Sequence, residues 1–206
     1  MNKKYTFIHP TKSGGTALEN YFEEHYKNYI NGRGHSNKCT NNNNPIMVVR
    51  DVKSRFYSMY KYWKNGAIDG KYIRNQNWKI THKDISIFDF IHMLKNDNKN
   101  KLYHTFTWLE HFKNTSTWID KKTHYKNIII IKYDDDLNDK IQKLIDILGI
   151  KQKNILVPHK NVSNNINCEC DLDDIYVNKF INEYFADDIE LINKIDNNPE
   201  IFKLVI

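Results

Sequence analysis

The stretch Asn127–Tyr133, NIIIIKY, limits what this chain can fold into more than any other. It is a short apolar run without polar alternation, which marks a strand covered on both faces. Pro45–Arg50, PIMVVR, has the same character, and Tyr5–His9 reads as a further short buried strand. An amphipathic pattern follows each of them. Thr16–Tyr26 carries Ala17, Leu18, Tyr21, Phe22 and Tyr26 on one helical face, and Lys53–Trp63 carries Phe56, Tyr60 and Trp63. Leu137–Leu148 sets Leu137, Ile141, Leu144, Ile145 and Leu148 on one stripe and is stopped by Gly149. Strands alternating with helices predict an α/β fold with a central, mostly parallel sheet flanked by helices.

The remaining segments are read from the same patterns. Asn41–Asn44 is a surface loop, 64–84 a polar loop, and Ile85–Leu94 and Thr105–Phe112 are helices, with two more between Leu172 and Lys194. A chain of 206 residues, 40% hydrophobic, fits one domain over 1–206, with a substrate-side helical or loop insertion at about 64–126. No apolar stretch reaches bilayer length, and the N-terminus runs straight into a strand, so neither a membrane anchor nor a secretory signal is expected. Three cysteines, Cys39, Cys168 and Cys170, are too few for a disulfide framework, which points to a reducing, cytoplasmic setting. The net charge of +6 suits an anionic partner, but the lysines are scattered, so a nucleic-acid footprint is not expected.

The chemistry begins at FIHPTKSGGTALENYF, residues 7–22. A strand that turns sharply into a helix aims several backbone N–H groups at one point. Gly14 and Gly15 let the backbone approach an anion, Thr16 adds a hydroxyl, and Lys12 adds a point charge. The lysine precedes the glycines, the reverse of the G-x-x-x-x-G-K-[ST] loop of nucleotide hydrolases. No strand-terminal carboxylate for Mg²⁺ is evident beyond Asp51, which adjoins Arg50. The second stretch, VVRDVKSRFYSMYKYW, sets Arg50 at the end of a buried strand, the edge where α/β sheets bind ligands. Arg50 can make charge-assisted bonds to a second phosphate, and Ser58 can donate another.

Together these stretches resemble the sulfotransferase family that uses 3′-phosphoadenosine 5′-phosphosulfate (PAPS). In that family a P-K-T-G-G-T loop binds the 5′-phosphosulfate, and an R-D-P-x-x-R-F-x-S-x-Y stretch binds the 3′-phosphate. The counterparts are TKSGGT, Thr11–Thr16, and RDVKSRFYSMY, Arg50–Tyr60. Thr11 and Val52 stand where the family often has Pro, and Ser13 where it has Thr. The segment IIIIKYDDDLNDKIQKLIDILGI, Ile128–Ile150, is similar to a late I-x-Y-E-D-L strand and helix, with Asp135 or Asp136 at the usual Glu. VPHKNVS, Val157–Ser163, resembles an H-x-N-x-S loop of carbohydrate sulfotransferases.

The resemblance implies a three-layer fold like that of P-loop NTPases. It implies that Lys12, Ser13, Gly14, Gly15, Thr16, Ala17, Arg50, Ser58, Lys160, Asn161 and Ser163 bind PAPS or its product PAP. It also implies a catalytic base in NGRGHSN, where Gly34-His35 matches a G-H pair of several carbohydrate sulfotransferases. Other branches use a glutamate there, and this chain has no Glu between Glu24 and Glu110. The expectation is then in-line transfer of a sulfuryl group to a hydroxyl, with a glycan as acceptor. His35 takes the acceptor proton and Lys12 stabilises the leaving phosphate, with no metal. The other readings are a module that binds PAP or PAPS without turnover, and a small-molecule kinase with an aberrant loop. Intact Lys12 and His35 speak against the first, and the missing magnesium ligands against the second. Cys168-Glu169-Cys170 lacks a matching pair and reads as reduced thiols rather than a metal site.

Overall fold

The computed structural model describes residues 5–32, 44–64, 85–96, 114–119, 127–151, 156–157 and 174–206. These fall into two compact units: 1–51, 114–161 and 187–206 form the first, and 52–113 and 162–186 the second.

The first unit is built on a five-stranded parallel sheet among the described residues. Its strands are β1 (Tyr5–Ile8), β2 (Ile30–Gly32), β3 (Asn44–Val49), β4 (Ile129–Lys132) and β5 (Leu204–Val205), in the order β2-β1-β3-β4-β5. In register, Phe7 faces Gly32 on one side and Ile46 on the other, and Val48 faces Ile131. The expected parallel α/β sheet is therefore present, and β2 and β5 extend it beyond the runs legible in the sequence. Asn31 and Gly32 pair with Thr6 and Phe7.

The central strands are largely apolar because successive side chains meet different layers on the two faces of the sheet. On one face Phe7, Ile46, Val48, Ile129 and Ile131 pack with Leu18, Tyr21 and Phe22 of α1 (Gly15–His25), and with Ile141, Leu144 and Ile145 of a later helix, Leu137–Ile147. On the other face Ile8, Met47, Val49, Ile128 and Ile130 pack with Trp118, Ile119, Leu191 and Ile195. Leu191 and Ile195 belong to the helix Ala186–Asn197. Trp118 closes a single 3-10 turn, Thr115–Trp118, whose Ser116 N–H donates to the buried Asp188 carboxylate at 2.9 Å. The helix Leu137–Ile147 ends at Gly149, whose φ of +67° is the left-handed value its sequence position suggests.

The second unit contains α2 (Val52–Lys64), α3 (Ile87–Asn96) and, after the Leu137–Ile147 helix (α4), α5 (Ile175–Tyr184); Ala186–Asn197 is then α6. Phe56 of α2 lies at the centre of an aromatic cluster, with ring centroids 6.2 Å from Phe90, 5.6 Å from Phe180 and 6.1 Å from Phe185. Tyr60 donates to the Ile85 carbonyl at 2.8 Å and fixes the entry to α3. Asp174 caps α5, accepting from the Tyr176 and Val177 N–H groups. The helices expected at Lys53–Trp63, Ile85–Leu94 and Leu172–Lys194 are thus present within a few residues. The helix expected at Thr105–Phe112 and nearly all of the 64–84 loop lie outside the described residues.

Candidate anion-binding edge

With strand order β2-β1-β3-β4-β5, the chain leaves β1 toward one side of the sheet and β3 toward the other. The carboxyl ends of β1 and β3 therefore flank the switch point, the place where open α/β sheets form a ligand crevice. Lys12–Gly15 follows β1, and Arg50 follows β3 directly.

The turn after β1 has an unusual backbone. Lys12 has φ of +61° and Gly14 of +85°; Ser13 between them and Gly15 after them have no positive φ. Such alternation of hand swings successive N–H groups to one side and forms an anion-holding concavity. Ser13 braces the turn from inside. Its buried hydroxyl donates to the Pro10 carbonyl at 2.6 Å and its N–H reaches the same oxygen at 3.4 Å. The Ser13 side chain thus shapes the loop, and the amides of Gly14, Gly15, Thr16 and Ala17 open α1. Gly14 is the N-cap, contributes no side-chain cap, and is followed by a first turn without acidic residues. The positive end of the α1 dipole stays uncompensated by local carboxylates.

Both glycines are required by their neighbours. A Cβ on Gly14 would stand 2.2 Å from Tyr133 Cε2, and one on Gly15 would stand 2.0 Å from His9 Cγ. Gly149 shares the left-handed backbone but has nothing within 4 Å of such a Cβ. Gly14→Ala is therefore expected to combine left-handed strain with overpacking, about 2–5 kcal/mol, or a Tm loss of roughly 5–15 °C. Gly149→Ala should show only the strain, about 1–2 kcal/mol. Parallel thermal melts of the two variants measure the difference, and equal losses would deny that the Gly14 approach is tight.

Tyr133 joins the two motifs. Its N–H donates to the Val49 carbonyl at 2.8 Å, which extends the ladder one residue past β4 and sets it beside Arg50. Its ring backs Gly14, and the Arg50 guanidinium carbon lies 5.4 Å from the ring centroid. Burial pulls the Arg50 pKa below its ordinary value, while Tyr133 and Asp51 pull it back. Arginine remains charged through such a shift, so Arg50 is a partly desolvated cation, which favours an anionic ligand. Among the described residues no group of three or more His, Cys, Asp or Glu side chains is placed to hold a metal ion.

The structure brings Lys12, Ser13, Gly14, Gly15, Thr16, Ala17 and Arg50 to one edge of the first unit. Ser58 stands half-exposed on α2 of the second unit. His35, Lys160, Asn161, Ser163, Cys39, Cys168 and Cys170 lie outside the described residues. Tyr133 and His9 were not singled out from the sequence as members of this edge. Both are the first residue after a central strand, the position that also marks Arg50.

A parallel sheet flanked by helices, with a glycine turn and an arginine following buried strands at its switch point, defines an α/β protein with a candidate anion-binding edge. The family model of the sulfotransferase domain matches residues 34–182, and the chain belongs to that family of PAPS-dependent sulfotransferases. It is accordingly a sulfotransferase, an enzyme that moves a sulfuryl group to a hydroxyl acceptor. The match includes Arg50 and Ser58 and begins after the glycine turn, so the turn is assigned on its geometry and its residues. No curated protein and no solved structure matches the chain. Among the described residues, no helix is long and apolar enough to cross a membrane.

Proposed function

We propose that the chain transfers a sulfuryl group from PAPS to a carbohydrate hydroxyl, with His35 as general base. The observation that carries this reading is the convergence of the Lys12–Gly15 turn and Arg50 on the switch point, with Tyr133 against both. When bound, PAPS supplies the sulfuryl group and departs as PAP. The residues present suit its two anionic ends: a turn of alternating hand for one phosphate, a desolvated guanidinium for the other.

The roles follow from the chemistry of each group. The amides of Gly14, Gly15, Thr16 and Ala17 hold the 5′-phosphate, with Ser13 bracing the turn, and the Lys12 ammonium balances charge that grows on the leaving oxygen. Arg50 and Ser58 hold the 3′-phosphate. Lys160, Asn161 and Ser163, in the segment that resembles the H-x-N-x-S loop, contribute further cofactor contacts. His35 takes the proton of the acceptor hydroxyl as the new bond forms. The glycan acceptor is supported by the Gly34-His35 pair and by VPHKNVS, both of carbohydrate sulfotransferase type. A single catalytic domain over 1–206, with a substrate-side insertion near 64–126, belongs to the same reading. So does a cytoplasmic setting, supported by sparse cysteines.

The test is a thermal-shift series with PAP, PAPS and Mg-ATP, followed by labelled sulfate transfer to a panel of glycans. Stabilisation by PAP and PAPS with transfer to a glycan is expected. Stabilisation by Mg-ATP alone would sink the reading, and PAP binding without transfer to any acceptor would favour a non-catalytic module. Arg50→Ala should weaken PAP by about 2–3 kcal/mol, roughly 30–150-fold, because a partly desolvated charged partner is lost. Arg50→Lys should fall between, since lysine keeps the charge but not the planar fork. Calorimetric titration with PAP measures both, and parent-like affinity in Arg50→Ala would remove Arg50 from the site.

A further inference from the structure

His9 and Glu19 form a pair that the transfer chemistry leaves unused. His9 follows β1 and is 1% exposed. Its Nε2 lies 3.2 Å from Glu19 Oε2, one helical turn beyond Gly15 on α1. An ionised carboxylate only accepts, so this bond places the imidazole proton on Nε2. The ring leans on Phe7, with centroids 5.6 Å apart, and its other surface meets Gly15 so closely that a Cβ there would stand 2.0 Å from Cγ. Glu19 also reaches the end of β2, where a Cβ on Gly32 would stand 2.5 Å from its Oε1. One carboxylate thus sits against the end of β1, through His9, and the end of β2, while itself belonging to α1.

We infer that His9 and Glu19 are positioning residues for the phosphate turn, an inference that rests on the PAPS reading above. The imidazole acts as a spacer that sets how far the Gly15 backbone stands from β1, and the bond to Glu19 fixes the ring's rotation. The amides that open α1 are thereby held in the orientation an anion requires before it arrives. Their side chains touch no ligand; they act through Gly15. This explains why an imidazole is buried at the base of a turn that Gly14 and Ser13 already shape.

The experiment compares PAP affinity, kinetics and melting of His9→Ala, Glu19→Ala, His9→Gln and Glu19→Gln. Both alanine variants should weaken PAP by roughly tenfold through misplacement of the amides, with kcat at saturating PAPS within about threefold of the parent. The glutamine variants should recover affinity to within about threefold, since each retains a group that can make the His9–Glu19 bond. In the unliganded protein, the Gly15 amide NMR resonance should shift in the alanine variants more than in the glutamine ones. Alanine variants that melt lower yet bind PAP like the parent would overturn the inference by leaving the pair a purely scaffolding role. So would glutamine variants no better than alanine ones. A parent that fails to bind PAP would overturn the PAPS reading as well, which separates the two failures.

Discussion

Replacing Lys12 by glycine should lower kcat on the order of 10²–10³-fold while leaving the protein as stable as before, or more so. The two effects come from different parts of one residue. The ammonium is assigned to the leaving phosphate, and removing such a charge-stabilising donor from a preorganised site costs turnover on that scale. The backbone, at φ of +61°, is one an L side chain occupies at a cost of about 1–2 kcal/mol. Glycine relieves that strain but loses about 0.5–1 kcal/mol through greater freedom in the unfolded chain. The net gain is about 0–1.5 kcal/mol, a rise in Tm of at most roughly 6 °C for a chain of this size. Lys12→Ala should lose the same turnover without the gain, because alanine keeps the strain. Melting curves beside single-turnover sulfate transfer test the pair. Full turnover in both variants would remove Lys12 from the chemistry, whereas loss of PAP binding with unchanged chemistry would move it to a holding role.

His35→Ala should lower kcat on the order of 10²–10⁴-fold, the usual contribution of a positioned base. Its effect on PAP affinity should be small, because the base serves the acceptor. An alcohol proton is too weakly acidic to leave before the sulfur–oxygen bond begins to form, so a base is needed as charge develops on the acceptor oxygen. Single-turnover sulfate transfer beside PAP titration measures both effects. An active His35→Ala enzyme would place the base elsewhere. Arg50→Ala should do the reverse and weaken PAP binding first.

How much of this could be read from the sequence depended on the length of the signal. β1, β3 and β4 were legible because unbroken apolar runs identify strands buried on both faces. β2 has only Ile30 to mark it before Asn31 and Gly32, and β5 is a two-residue pairing of Leu204 and Val205 with β4, so neither carries a period. The turn Thr115–Trp118 was equally silent, since nothing local announces that Trp118 will fill one face of the sheet. The grouping of α2 with α5 depends on Phe56 meeting Phe180 across more than a hundred residues of chain. At the site, Lys12, Gly14, Gly15 and Arg50 stood out because they directly follow apolar runs, in two stretches that together resemble one family's cofactor motifs. Tyr133 and His9 did not, because an aromatic ring after an apolar strand reads as more core. Their importance lies in which backbone they touch, and that requires the register of three strands.

The pairing of β3 with β4 also has a kinetic meaning. Val49 meets Lys132, so the two neighbouring strands at the centre of the sheet are joined by the longest excursion between paired strands. Closing such a loop is entropically expensive and slow, whereas β1, α1, β2 and β3 can assemble from nearby sequence. Gly14 and Arg50 can thus come together early, but the ring that backs both arrives only when the distant strand docks. The edge that carries Gly14, Arg50 and Tyr133 together is therefore complete only once β4 has paired with β3. A cofactor that binds only the completed edge acts as a thermodynamic latch on that docking step, drawing the chain toward its finished state in proportion to its concentration.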